Sequence, residues 1–235
     1  MKIARSEEMS KINNGLLSAV SHELRAPLSA IKGYSTMLLD YFSELTAAET
    51  QEYIKSIDMA TDRMTRLIDN LLDASRLEEG RLNLEKTQVN ILNLINAAIK
   101  EVEIRDSHHE ILTALDNELP MVYVDPKRIQ QVLEDLIDNA ARCSPRGTEI
   151  LISATSNNQE IEISVTGRDP GIADSEFCNI SELLYKMEKT TAQGNNNPRL
   201  ELYMCQRLVE AHSGRMWAES IVGKGTTIKF TLPLI

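Results

Sequence analysis

Residues 17–38 read LSAVSHELRAPLSAIKGYSTML, and the spacing of their apolar positions decides the first part of the fold. Leu17, Val20, Leu24, Pro27, Ile31, Tyr34 and Leu38 step by three and four residues. That is the narrow stripe of a bundle seam rather than the broad face of a globular core. A second run, Ile54, Ile57, Thr61, Met64, Ile68, Leu71 and Ser75, has the same step. Between the two lies Thr46-Ala47-Ala48-Glu49, the spacing of a capping box, which starts the second helix. Arg76 to Gly80 ends it. Residues from about 8 to 79 are therefore expected to form a helical hairpin. Two antiparallel helices with one stripe each leave that stripe in water, whereas two hairpins paired as a four-helix bundle cover it. The expectation is a homodimer.

Beyond Gly80 the pattern changes to mixed α and β. Leu82 to Gln88 reads as a short strand with Leu82 and Leu84 on one face, and Asn90 caps a helix to about Arg105. Glu110–Leu115 and Met121–Val124 read as strands. Asp125-Pro126 is a helix start, an N-cap followed by proline at the first helical position, and that helix runs to about Cys143. Thr148–Thr155 and Ile161–Thr166 form a hairpin around Asn157-Asn158. Gly167 to Pro198 has little period and reads as a long irregular segment. A helix from about Arg199 to His212 follows. A last hairpin pairs Arg215–Val222 with Thr226–Leu232 around Gly223-Lys224-Gly225. The expected division is a hairpin at 1–80 and an α/β sandwich at 81–235.

Composition narrows the function classes. The 235 residues are 42% hydrophobic and only 4% aromatic, which favours helical packing of Leu, Ile, Ala and Met over an all-β fold. With 25 basic and 35 acidic residues the net charge is −10, the wrong sign for a nucleic-acid clamp. No apolar run is long enough to span a membrane. Cys143, Cys178 and Cys205 form neither a CxxC pair nor an even disulfide set, which suits a reducing, cytoplasmic compartment. His108 and His109 are adjacent without a further ligand at metal-binding spacing, and are expected as exposed loop histidines.

The chemistry concentrates first at Ser21-His22-Glu23-Leu24-Arg25-Ala26-Pro27-Leu28. His22 falls between the seam positions Val20 and Leu24, so the helical period of about 100° per residue turns it toward water. A neutral imidazole there is a nucleophile toward phosphorus, and Glu23 next door can take the ring proton. This string, the hairpin behind it and the α/β region after it resemble the sensor histidine kinases of two-component systems. The resemblance covers nearly the whole chain. It implies a dimerisation and phosphoacceptor hairpin, then an ATP-binding domain of the gyrase, Hsp90 and kinase superfamily. By that resemblance His22 is the phosphoacceptor and Glu23 its general base. The family often has Thr or Asn four residues after the histidine, to orient the water that dephosphorylates the regulator. Ala26 stands there and has no hydrogen-bonding group.

Gln131-Val132-Leu133-Glu134-Asp135-Leu136-Ile137-Asp138-Asn139-Ala140-Ala141-Arg142 resembles the family's asparagine box. Ile129, Val132, Leu133, Leu136, Ile137 and Ala140 make its buried face, while Asp135, Asn139 and Arg142 share another. The resemblance assigns Asn139 to the magnesium ion bridging the triphosphate, and puts Arg142 in the place of a phosphate-reading lysine. Asp135 replaces an asparagine, and its carboxylate would repel a triphosphate. Val165-Thr166-Gly167-Arg168-Asp169-Pro170-Gly171-Ile172 aligns with the first glycine box, where the match weakens. The aspartate that would accept the adenine amino group falls on Gly167, and the first glycine falls on Asp169. Gly171 is kept. A second register puts Asp169 in the adenine role and loses the match at Gly171-Ile172. Arg199-Leu200-Glu201-Leu202 lies where the family has Gly-Leu-Gly-Leu, whose glycines let backbone N–H groups approach phosphates. Ile180 to Leu184 lacks the aromatics of the phenylalanine box. Gly223-Lys224-Gly225-Thr226 fits again, so Gly171, Gly225 and Thr226 are the remaining nucleotide-binding candidates.

Two functions are consistent with these residues. One is a transmitter enzyme in which His22 takes phosphate and passes it to a response regulator receiver domain, with weak or absent use of ATP and magnesium. The other is a pseudokinase module that docks a regulator or a partner kinase without catalysis. About twenty residues precede His22, so the chain is expected to be a fragment or to depend on a separate sensor protein. No nucleic acid and no membrane contact are expected of it.

Overall fold

The computed structural model describes residues 24–79, 81–106, 108–116, 118–171, 176–177 and 199–234. The chain divides into two compact units after Gly80, the second holding Arg81–Ala192 and Glu201–Ile235.

In the first unit residues 24–41 are helical (α1) and Ala47–Glu78 form α2. The capping box is present: Glu49 N–H donates to the Thr46 hydroxyl at 3.2 Å, and Thr46 N–H donates to the Glu49 carboxylate at 2.8 Å. The Thr46 backbone N–H and its hydroxyl, which donates to the same carboxylate at 2.7 Å, hold the Glu49 carboxyl below its ordinary value. Across the hairpin the Tyr34 and Tyr53 rings lie 5.5 Å apart, and Leu67 is buried. The second stripe does not lie wholly inside. Ile57, Met64 and Leu71 are half-buried, but Ile54 and Ile68 are 54% and 46% exposed. An α-helix of 3.6 residues per turn drifts against a 3.5-residue repeat, so one stripe cannot face one neighbour along 32 residues.

The second unit is a six-stranded sheet with helices against one face. Its strands are β1 (Thr87–Asn90), β2 (Glu110–Leu115), β3 (Met121–Val124), β4 (Glu149–Ser156), β5 (Glu160–Thr166), β6 (Glu176–Phe177), β7 (Met216–Ile221) and β8 (Gly225–Pro233). Its helices are α3 (Ile91–Arg105), α4 (Pro126–Cys143) and α5 (Arg199–Ala211). The main sheet runs β2-β4-β5-β8-β7-β6, and β1 with β3 forms a separate two-stranded ribbon. β2 is parallel to β4; all other pairings in the main sheet are antiparallel.

The first strand is shorter than expected. Residues 81–86 are not extended into a ladder, and β1 begins at Thr87. The reason is the partner: β3 offers only Met121–Val124, which pairs with Thr87–Asn90. The segment before it is fastened by other bonds, Glu85 N–H to the Asp125 carboxylate at 3.0 Å and the Lys86 ammonium to the Ala211 carbonyl at 3.2 Å. The irregular stretch after Gly167 also contains a strand, β6, paired with β7 through Glu176 and Phe177.

Alternation builds the core. Ile150, Ile152 and Ala154 of β4, Ile161, Ile163 and Val165 of β5, and Ile228, Phe230 and Leu232 of β8 point inward and are buried. They meet Ile91, Ile95 and Ala98 of α3, the expected buried face of α4, and Leu202, Cys205 and Val209 of α5. The opposite sheet face is polar, with Lys229 bonded to Glu219 at 2.8 Å and the Ser153 and Ser164 hydroxyls paired at 2.6 Å. Trp217 lies on this face; its indole N–H donates to Glu219 at 3.3 Å, and the Arg215 guanidinium sits 5.2 Å from the ring centre.

The two loop histidines are not alike. His109 is withdrawn from water, its side chain 6% exposed, and its Nδ1 bonds to Asp106 at 2.6 Å. Asp106 follows the last turn of α3, so the pair fastens that helix end to the start of β2. His212, at the end of α5, is buried as well. Its Nδ1 donates to the Leu208 carbonyl at 2.8 Å, and its Nε2 accepts the Asp125 backbone N–H at 3.0 Å. Asp125 is the N-cap of α4, so one neutral imidazole joins the end of α5 to the start of α4. Burial holds the His212 pKa below its ordinary value; the Leu208 bond works against that shift, and the Lys86 charge adds to it.

A lowered histidine value means that the unfolded chain binds the proton first as pH falls. Stability from this link is therefore complete above pH about 6.5 and declines below it. In urea titrations across that range, His212→Ala is expected to cost about 1–3 kcal/mol and to flatten the acid slope. An unchanged slope in the variant would remove His212 as its source.

Candidate functional site

His22 and Glu23 lie outside the described residues. Ala26, four residues after the histidine, is exposed on α1. The other six candidates belong to the second unit and come from three segments: α4, the loop after β5, and the start of β8.

α4 delivers Asp135, Asn139 and Arg142 because its opposite face is committed to the core. Asn139 is 7% exposed, and the Cys143 thiol approaches its carbonyl oxygen at 3.9 Å. Asp135 is half-buried, with the buried Cys205 thiol of α5 at 4.0 Å. Burial pushes the Cys205 thiol well up, and the Asp135 and Glu201 carboxylates add to it. Arg142 reaches across to α5. Its Nη1 lies 3.4 Å from Glu201 Oε1, and its Nη2 pairs with Oε2 of the same carboxylate. Burial works against the guanidinium charge, but Glu201 overrides it and holds the Arg142 value above the ordinary one.

The loop after β5 and the start of β8 are locked together by Asp169. Its Oδ2 accepts the Thr226 N–H at 2.7 Å, and its Oδ1 accepts the Thr226 hydroxyl at 2.9 Å and the Gly171 N–H at 2.9 Å. Gly167 N–H donates to the Thr226 carbonyl at 3.0 Å. Two of the candidate glycines are dictated by this packing. Gly225 has φ +107°, and a Cβ there would stand 2.0 Å from the Gly167 carbonyl oxygen. Gly171 has φ +74°, and its Cβ would meet the Ile221 carbonyl oxygen at 2.3 Å.

Gly167, where the adenine-reading carboxylate would stand, faces α4. A Cβ on it would meet the Ser144 hydroxyl at 2.9 Å and Ala140 Cβ at 3.4 Å. That hydroxyl accepts the Arg168 N–H at 2.8 Å, so it is not free to swing aside. Sequence reasoning passed over Ser144, whose only signal was its place one residue beyond Cys143 at the end of α4. The residues therefore fit the two ends of a magnesium nucleotide unequally. Asn139 and Arg142 are of the right type for the metal and phosphate end. At the base end Gly167 offers no side-chain acceptor, and the Asp169 carboxylate is already engaged three times. Among the described residues no cluster of three or more His, Cys, Asp or Glu is arranged to hold a metal ion.

The Asp169 clamp has a measurable worth. Asp169→Ala orphans the Thr226 and Gly171 N–H groups and is expected to destabilise the second unit by about 1–3 kcal/mol in denaturant titrations. Glu149→Gln, which removes only an exposed partner of Arg168 at 3.5 Å, is expected to change stability by less than about 1 kcal/mol.

Residues 12–80 match the His Kinase A (phospho-acceptor) domain, a span that includes His22. Residues 124–235 match the histidine kinase-, DNA gyrase B- and HSP90-like ATPase domain. The sensor histidine kinase WalK of Bacillus subtilis is 30% identical over 98% of this chain and 38% of its own length. The adaptive-response sensory kinase SasA of Synechococcus elongatus is 30% identical over 97% of this chain and 60% of its own. The sensor protein KdpD of Clostridium acetobutylicum is 27% identical over 96% of this chain and 25% of its own, so the chain spans only part of each relative. Among solved structures, the histidine kinase AdeS of Acinetobacter baumannii superposes with a TM-score of 0.66 at 22% identity, over 90% of this chain and 97% of that one. The histidine kinase ThkA, solved in complex with the response regulator protein TrrA, superposes with a TM-score of 0.63 at 26% identity, over 97% of this chain and 63% of that one. A phospho-acceptor domain over the hairpin, an ATPase domain over the α/β sandwich and kinase relatives along both place the chain among the histidine kinase transmitters of two-component systems.

Proposed function

We propose that the chain is a transmitter of two domains, 1–80 and 81–235, in which His22 carries phosphate and hands it to an aspartate on a response regulator, with impaired use of ATP. The phospho-acceptor match over His22 supports the first part. In that step the imidazole nitrogen attacks phosphorus, the bond from phosphorus to the donor's leaving oxygen breaks, and Glu23 takes the ring proton. The ThkA–TrrA complex supports a receiver domain as the partner. Impaired ATP use rests on one observation, the Asp169 carboxylate bonded to Thr226 and Gly171 while Gly167 has no side chain to read a base. The same observation favours the second reading, a pseudokinase that docks a regulator or a partner kinase. The ATPase domain match implies Mg-ATP as the family's ligand, with Asn139 as the metal-side residue. The two described free cysteines, Cys143 and Cys205, suit a cytoplasmic setting, and among the described residues no helix is long and apolar enough to cross a membrane.

A homodimer through the hairpin belongs to the same reading. Ile54, Ile68, Leu72 and Leu28 are about half exposed on a single hairpin, more apolar surface than a lone pair of helices leaves in water without reason. Light scattering at micromolar concentration is expected to give the dimer mass, and Ile68→Glu the monomer mass. Ile68 is the sharper test than Leu71, which is half-buried within the hairpin itself.

The two functions part on phosphate. Calorimetry is expected to show millimolar rather than micromolar affinity for Mg-ATP. Acid-labile, base-stable phosphate is expected on the chain after incubation with a phosphorylated regulator or an active partner kinase, and none in His22→Gln. Phosphate unchanged in that variant would refute the phosphoacceptor role, and none from any donor would leave the docking module.

A further inference from the structure

The Arg142–Glu201 pair joins the last turn of α4 to the first turn of α5. Glu201 lies in the first turn of α5, and its carboxylate meets both terminal nitrogens of the guanidinium, Oε1 on Nη1 at 3.4 Å and Oε2 on Nη2. This two-pronged contact is the arrangement in which arginine grips a carboxylate or a phosphate. Both groups are partly withdrawn from water, the side chains 30% and 16% exposed, so the attraction is less screened than at an open surface. The carboxylate also stands at the amino end of a 13-residue helix, where backbone N–H groups favour negative charge. The guanidinium fork is the attraction that an incoming phosphate would need here, and a side chain of the protein uses it. Asp138 adds its field to that of Glu201 at Arg142 and is itself engaged by Arg105 at 3.6 Å.

We propose that Glu201 is a built-in stand-in for a phosphate group, which an external phosphate must displace from Arg142. The inference rests on reading this face of α4 as the phosphate end of a kinase-type site. It locates part of the impairment in competition for one cation, separate from the missing base reader at Gly167.

The test uses the whole chain and two probes, tripolyphosphate without metal and Mg-ATP, each followed by calorimetry. Glu201→Gln and Glu201→Gly are expected to bind tripolyphosphate about tenfold more tightly than the unmodified chain. Adding Arg142→Ala to Glu201→Gln is expected to abolish the gain. Glu103→Gln, an exposed charge on α3, controls for the loss of one negative charge and is expected to change affinity less than about twofold. A gain that survives the loss of Arg142, matches the control, or is missing from both folded Glu201 variants would overturn the stand-in. If tripolyphosphate gains and Mg-ATP does not, the stand-in holds and the nucleotide reading fails. If the unmodified chain binds Mg-ATP tightly and Glu201→Gln adds nothing, the kinase-type site on α4 holds, while the stand-in and the impaired use of ATP both fall.

Discussion

The carboxylate of Asp169 fixes the wall of the second unit on which the other site residues depend. β5 and β8 are already in register up to Thr166 and Thr227. Beyond that point the ladder ends, and Asp169 carries the association one step further by taking three donors from the opposite turn and its own loop. Holding the two segments so close leaves no volume for side chains at Gly171 and Gly225, and it presses Gly167 against the end of α4. A carboxylate held by three donors on its own loop and the opposite strand is fixed in orientation, so it cannot turn toward a bound base without giving up bonds to its own backbone. Asp169 is thus committed to closing the loop against β8.

At the proposed phosphate end the signs are reversed. There the scarce group is a cation, and Glu201 neutralises it from within. Both ends of the site are satisfied by the chain itself, one by an acid that holds backbone N–H groups and one by an acid that holds a guanidinium. The framework under them is ordinary: a polar α4 face above a fully buried apolar one, and a neutral His212 that ties α5 to the cap of α4.

Much of this was legible in the residues. The caps at Thr46, Asn90 and Asp125 declare themselves by side chains that must bond their own backbone, and each is found where the spacing puts it. The buried face of α4 follows from its period alone. β1 was misplaced because the length of a strand is set by its partner, and Leu82 and Leu84 carry no record of how short β3 is. His109 was read as exposed because its tie to Asp106 depends on how the end of α3 turns, which no local pattern encodes. In the site, the loss of a carboxylate at Gly167 could be seen in the sequence. That Asp169 would be consumed by Thr226, that Ser144 would fill the space beside Gly167, and that Arg142 would find Glu201 59 positions away could not. Those are contacts between segments brought together only by the sheet.

Trp217 is the single tryptophan of the chain, and it sits on the polar face of the sheet between Arg215 and Glu219. The hairpin contains none. Indole emission is therefore a private reporter of the α/β sandwich, blind to melting of the hairpin, while far-ultraviolet dichroism sums the helices of both units. A loss of dichroism without a change of indole emission is therefore unfolding of the hairpin alone, in an unlabelled chain. Because the indole stands beside a guanidinium and a carboxylate, its quantum yield also registers charge changes on that face.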